Sequence, residues 1–89
     1  MPNLRPSPDV VAQKFDGSLV LVHLRTNRIL EFNRTGARFW ELLEEDGDRA
    51  SIEEKMLAEF DVPKDQLSRE LDELVNQLVE EGLVQAPDA

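Results

Sequence analysis

Arg28-Ile29-Leu30-Glu31-Phe32-Asn33-Arg34-Thr35-Gly36-Ala37 carries the change of period around which the chain is organised. Residues 28–32 have the pattern of a short strand. Ile29 and Glu31 fall on one face, Arg28, Leu30 and Phe32 on the other. From Gly36 onward the period lengthens. Gly36, Phe39, Trp40 and Leu43 stand at i, i+3, i+4 and i+7, the stripe of an amphipathic helix, and Asn33 or Thr35 can cap its start. This strand is the last in a run of three. It is therefore expected at a sheet edge, with one row of backbone N–H and C=O groups free to accept another extended chain.

The two preceding strands are read at residues 10–15 and 19–24. Asp16-Gly17 between them is a strong hairpin signal, because a tight turn of the right twist needs positive φ. Leu19-Val20-Leu21-Val22-His23-Leu24 barely alternates, which predicts a central strand covered on both faces. Arg25-Thr26-Asn27 makes the second turn. Residues 1–8 hold Pro2, Pro6 and Pro8 and little to bury, so an extended, mobile Pro-rich arm is expected there.

Beyond the first helix, Glu44-Glu45-Asp46-Gly47-Asp48 reads as an acidic loop. Ser51-Ile52-Glu53-Glu54 has the form of a capping box and predicts the start of a second helix, with Ile52, Met56, Leu57 and Phe60 as its buried stripe. Pro63 suits the start of a third helix. Leu67, Leu71, Leu74, Val75, Leu78 and Val79 repeat along it, and Gly82 ends it as a left-handed cap. Leu83-Val84 is expected to fold back on the core. The prediction is an α+β domain over residues 9–85, a three-stranded antiparallel sheet followed by three helices, with a tail at 86–89. The sheet cannot bury its inner face alone, so the helices must cover it.

Composition narrows the chemistry. The 89 residues make one small domain, with 40% hydrophobic and 33% charged residues. Cysteine is absent, which excludes disulfides, thiolate metal sites and cysteine nucleophiles and fits a cytoplasmic protein. No run of the sequence has the length of a membrane span or of a signal-peptide core. The net charge of -9 is unevenly spread: residues 1–40 carry +3 and residues 41–89 carry -12. An acidic C-terminal half repels phosphate, so neither nucleic acid nor a membrane is expected as partner. His23 is the only histidine and reads as a strand residue. There is no nucleophile elbow, no Gly-rich phosphate loop and no calcium-loop spacing at Asp46-Gly47-Asp48. The expectation is a binding module with no catalytic residue, no metal and no cofactor. Phe39 and Trp40 read first as core, and otherwise as the wall of a peptide pocket.

Phe32-Asn33-x-Thr35-Gly36-Ala37-x-Phe39-Trp40-x-Leu42-Leu43, preceded by a hairpin and followed by Gly82-Leu83-Val84 after a long helix, resembles the PqqD-like family. Its members are the peptide-recognition elements of pathways that modify ribosomally made peptides (RiPP recognition elements). The resemblance spans roughly residues 8–85. Phe32 stands where the family typically has Leu. The resemblance implies a winged-helix-like fold that binds a precursor's leader peptide as an added antiparallel strand on the third strand, in a cleft against the third helix. The residues this implicates are Arg28, Ile29, Leu30, Glu31, Phe32, Leu67, Glu70, Leu71, Leu74, Val75 and Leu78. A chain of this length is similar to the leader-binding half of a split lasso-peptide B protein, whose partner is a leader peptidase. It is also similar to a PqqD-type peptide chaperone, whose partner is a radical enzyme. A winged-helix DNA-binding module would need a basic recognition helix. The third helix is instead read as carrying Asp65, Glu70, Asp72, Glu73, Glu80 and Glu81 against Lys64 and Arg69. A homodimer formed by pairing of the open edge is the remaining alternative.

Overall fold

A computed structural model describes residues 4–85. The chain runs through β1 (Arg5–Pro6), β2 (Val10–Phe15), β3 (Ser18–His23), β4 (Arg28–Phe32), α1 (Arg34–Glu45), α2 (Arg49–Glu59), α3 (Lys64–Glu80) and β5 (Val84–Gln85). β2, β3 and β4 form an antiparallel meander in that order, and β1 and β5 form a second, two-stranded sheet. The expected α+β architecture is therefore present, with the third strand of the meander at its edge. The expected tail at 86–89 and the first three residues of the expected arm lie outside the described residues.

Local chemistry explains the turns and caps. Asp16 and Gly17 both take positive φ, +45° and +87°, to close the β2–β3 hairpin, and Asn27 takes φ +60° in the next turn. Asn33 is extended, and its Oδ1 accepts from the Gly36 N–H at 3.1 Å, which caps α1. Gly82, at φ +72°, follows α3, and the Leu83 N–H returns to the Leu78 carbonyl at 2.9 Å.

Register sets which residues are buried. Ala12, Leu21 and Leu30 stand in one cross-strand row, and Lys14, Leu19 and Phe32 in another. Leu19, Leu21, Leu30 and Phe32 point inward to the helices and are buried. They meet Phe39, Trp40, Leu42 and Leu43 of α1, Ile52 and Met56 of α2, Leu67, Leu71 and Leu78 of α3, and Leu83 and Val84. Each fully buried large side chain contributes about 1.5–3 kcal/mol. Phe39 and Trp40 are both core residues, as their helical spacing suggests. His23 is also buried, and its Nδ1 accepts from the Arg25 N–H at 3.3 Å.

Three expectations are corrected. β3 is central but covered on one face only: Leu19, Leu21 and His23 are buried, while Ser18, Val20 and Val22 are half-buried. On the outer face Val22 stands beside Val11 and Ile29, and Val20 beside Gln13 and Glu31, with no second layer over them among the described residues. α2 starts at Arg49, capped by Asp48, whose carboxylate accepts from the Ala50 N–H at 3.2 Å. Ser51 thus falls inside the first turn, and the capping box it suggested does not form, because Asp48 is an equally good cap placed earlier. The described part of the Pro-rich segment, from Leu4 onward, is extended and tied down. Arg5 and Pro6 pair with Gln85 and Val84, and the Leu4 N–H donates to the Gly47 carbonyl at 2.9 Å.

Ion pairs sew the layers together. Arg38 of α1 reaches Glu59 of α2 at 2.7 Å and Glu41 at 3.1 Å, and Lys14 of β2 also contacts Glu41. Lys14, and then Arg38, hold the Glu41 carboxyl below its ordinary value of 4.5, and Arg38 does the same for Glu59. A carboxylate depressed in this way stabilises the fold fully above its unfolded value, and the effect fades as pH falls through the folded one.

Two predictions follow from these contacts. A Cβ at Gly36 would stand 2.8 Å from the Phe32 Cβ, so Gly36→Ala forces α1 off the sheet. The expected cost is about 1–3 kcal/mol in urea denaturation, and an unchanged midpoint would refute the close approach. Urea stability measured from pH 7 downward should begin to fall near pH 4.5, and Arg38→Met should flatten part of that fall. An identical pH profile in the variant would show the pairs to be inert.

Candidate functional site

Among the described residues β4 pairs with β3 along one side only, so its other edge is open. Beside that edge lies a groove of about 320 Å³ between β4, the start of α1 and the middle of α3. Its floor is apolar: Phe32 from β4 and Leu71 and Leu74 from α3. Glu31 contributes from the strand, and Glu70, Glu73 and Gln77 from the helix. Asn33, Thr35 and Gly36 form the end where the strand turns into α1. Beyond the other end, Arg28 bridges to Glu81 at 2.7 Å and ties the start of β4 to the end of α3.

The sequence explains why these parts meet. Gly36 lets α1 leave the strand at close range, with no side chain to push Phe32 aside. Leu67, Leu71 and Leu78 are buried and anchor one stripe of α3 in the core. The neighbouring stripe, Glu70, Glu73, Leu74 and Gln77, repeats at i, i+3, i+4 and i+7 and so faces the groove.

The structure divides the residues implicated from sequence into three groups. Glu31, Phe32, Glu70, Leu71 and Leu74 are brought together around the groove. Leu30, Leu67 and Leu78 have their side chains in the core. Leu30 can therefore offer only backbone to anything bound at the edge. Val75 is half-buried against the core, Arg28 is engaged with Glu81, and Ile29 is 69% exposed on the outer face of the sheet. Asn33, Thr35, Gly36 and Gln77 also line the groove and were not among the implicated residues, and Glu73, read from the sequence as part of the acidic face of the third helix, lines it too. Gln77 could have been found from the helical spacing with Glu70 and Leu74. Asn33, Thr35 and Gly36 were legible as a cap but not as a wall.

Electrostatically the groove is one-sided. Glu31, Glu70 and Glu73 are exposed carboxylates, and no Lys, Arg or His lines it. Among the described residues, three or more potential metal-ligating side chains nowhere cluster, and no helix is long and apolar enough to cross a membrane. The groove thus offers an open row of backbone groups, an apolar floor and an acidic rim, a combination suited to holding an extended peptide.

No curated protein sequence matches the chain. Two solved structures do. The chain of TbiB1, in complex with the TbiA(beta) leader peptide, is 32% identical, with a TM-score of 0.83, over 91% of this chain and 94% of that one. A lasso peptide synthetase B1, complexed with the leader peptide, shares the fold at a TM-score of 0.82 and 23% identity, over 93% of this chain and 98% of that one. The family model for coenzyme PQQ synthesis protein D (PqqD) matches residues 18–84, from the start of β3 to β5. With three quarters of its length matched in this way, the chain belongs to the PqqD family.

Proposed function

We propose that this protein binds the leader peptide of a ribosomally synthesised precursor as an added strand on β4, beside α3, and presents it to a partner processing enzyme. The observation that carries the reading is the open edge of β4 beside an apolar-floored groove. Its likeness to TbiB1, a protein seen in complex with a leader peptide, supports the same role. In this reading the chain performs no catalytic step. It holds the peptide, and the partner, a lasso-type leader peptidase, cuts it. The match to the PqqD model favours a second reading, a PqqD-type peptide chaperone serving a radical enzyme.

Physical magnitudes suit the task. Each backbone hydrogen bond gained along the edge is worth about 0.5–1.5 kcal/mol net. These bonds fix register and orientation but select little sequence. A peptide side chain packed on half-buried Leu74 and the small exposed part of Phe32 adds up to about 1.5–3 kcal/mol when fully buried and supplies the choice. Two such anchors with a few backbone bonds reach micromolar affinity or better after the cost of ordering a flexible leader. A second copy of the chain could occupy the same edge, which sedimentation would reveal as a dimer that leader peptide dissociates.

Titration with fluorescently labelled TbiA(beta) leader peptide, with a DNA duplex as control, tests the proposal. Saturable binding is expected, with amide shifts concentrated in Arg28–Phe32 and Glu70–Gln77. Leu74→Asp, at a half-buried groove position, should weaken binding about tenfold or more while the domain remains folded. Shifts confined to β2 and α2, or binding untouched by the substitution, would place the peptide elsewhere.

A further inference from the structure

We infer that the groove selects a cationic leader segment, one with Lys or Arg beside its apolar anchor and read by Glu31, Glu70 and Glu73. This deepens the leader-binding reading and rests on it. The carboxylates stand out by their place, around a groove that adjoins an unpaired strand edge and is lined by no cationic side chain among the described residues. Elsewhere some acidic side chains are answered, Glu41 and Glu59 by Arg38, Glu53 and Asp72 by Arg49, Asp46 by Lys55 and Glu81 by Arg28, while others at exposed positions, such as Glu44, Glu45, Glu54 and Glu80, are in no ion pair among the described residues. Among the described residues, Glu31, Glu70 and Glu73 have no cationic partner, and only Glu70 accepts a side-chain hydrogen bond, from Gln66 at 3.0 Å. Beyond one end of the groove Arg28 is already committed to Glu81, and Arg34 and Arg69 adjoin lining residues in sequence without themselves lining the groove.

The three charges sit where a strand added to β4 would read them separately. Glu31 and Phe32 lie on opposite faces of β4: Phe32 is buried toward the helices and Glu31 is exposed. A peptide residue opposite Glu31 therefore points to the outer face, and an opposite charge there forms a cross-strand pair. Its neighbours in the peptide point inward, over Phe32 and Leu74, toward α3. Along one face of a strand, successive side chains are about 7 Å apart. An apolar residue seated on the floor thus puts the next inward-facing position within reach of Glu70 or Glu73, which stand one helical turn apart. A long Lys or Arg side chain suits that place, since its stem can cover Leu74 while its head reaches the rim. A carboxylate there would meet like charge with no cation to relieve it.

The test is a charge scan of the TbiA(beta) leader peptide, each position replaced in turn by Lys, Gln and Glu, against the wild-type chain, E31Q and E70Q/E73Q. Lys should bind about three- to tenfold tighter than Glu at a few positions, with the preference shrinking as salt is raised. Those positions should fall into two sets of opposite parity. The preference in one set should collapse in E70Q/E73Q, and that in the other in E31Q. A flat scan on a peptide that still binds, or a Lys preference that survives in both variants, overturns the charge selection and leaves the leader-binding role standing. Absence of binding by every peptide overturns the leader-binding role and this inference with it.

Discussion

The structure depends on one close approach. α1 leaves β4 within a single residue, and its third position, Gly36, lies so near Phe32 that even a methyl group would collide. That contact fixes the angle between the first helix and the edge strand. With the angle fixed, Phe39, Trp40, Leu42 and Leu43 cover the inner face of the sheet. α1 then presents α2 through the Arg38–Glu59 pair, and α2 holds α3 through Arg49 and Asp72. The groove beside β4 is what remains when three helices cover a three-stranded sheet and stop short of its last edge.

Open edges are usually blunted, because an unpaired strand invites aggregation. Here β4 is short, it carries charges at Arg28 and Glu31, and Arg28 is latched to the end of α3. These features discourage unselective pairing and keep the middle of the strand free. The side chains of Leu30 and Phe32 are turned inward, so the edge itself shows mainly backbone. Backbone gives an incoming strand affinity and register, while the floor and rim of the groove supply discrimination. Such a division of labour suits a module that must hold one segment of a flexible peptide and leave the rest free.

Much of this was legible in the sequence, and the reasons for the remainder are physical. Asp16-Gly17, Asn27, Asn33 and Gly82 act through their own backbone preferences, so they announced the turns and caps directly. The stripes of α1 and α3 announced the core for the same reason: periodicity is local. The start of α2 was misread because Asp48 and Ser51 are both capable caps, and only tertiary context chooses between them. The pairing of Arg5–Pro6 with Val84–Gln85 was invisible, since two residues at each end of the chain have no period to detect. Within the site, the strand and the buried side of α3 were found, but a helix facing both core and groove uses adjacent stripes. The hydrophobic signal marks the first stripe and is silent on Glu73 and Gln77.

The uneven charge along the chain gains a meaning from the fold. The cationic first part and the anionic second part are not separate surfaces; Lys14, Arg28 and Arg38 from the first reach Glu41, Glu59 and Glu81 in the second. Exposed pairs of this kind contribute little each, about 0–1 kcal/mol, so they serve better to fix register between layers than to hold the fold together. Because acidic residues outnumber basic ones, the pairing cannot be complete, and some carboxylates must remain. Most of these lie on solvent-facing positions, Glu44, Glu45, Glu54 and Glu80 among them, where they bear mainly on solubility. Three others line a groove that adjoins the open strand. Glu70 and Glu73 flank its apolar floor from α3 and Glu31 stands on the outer face of β4, so their charges surround whatever pairs with the strand edge.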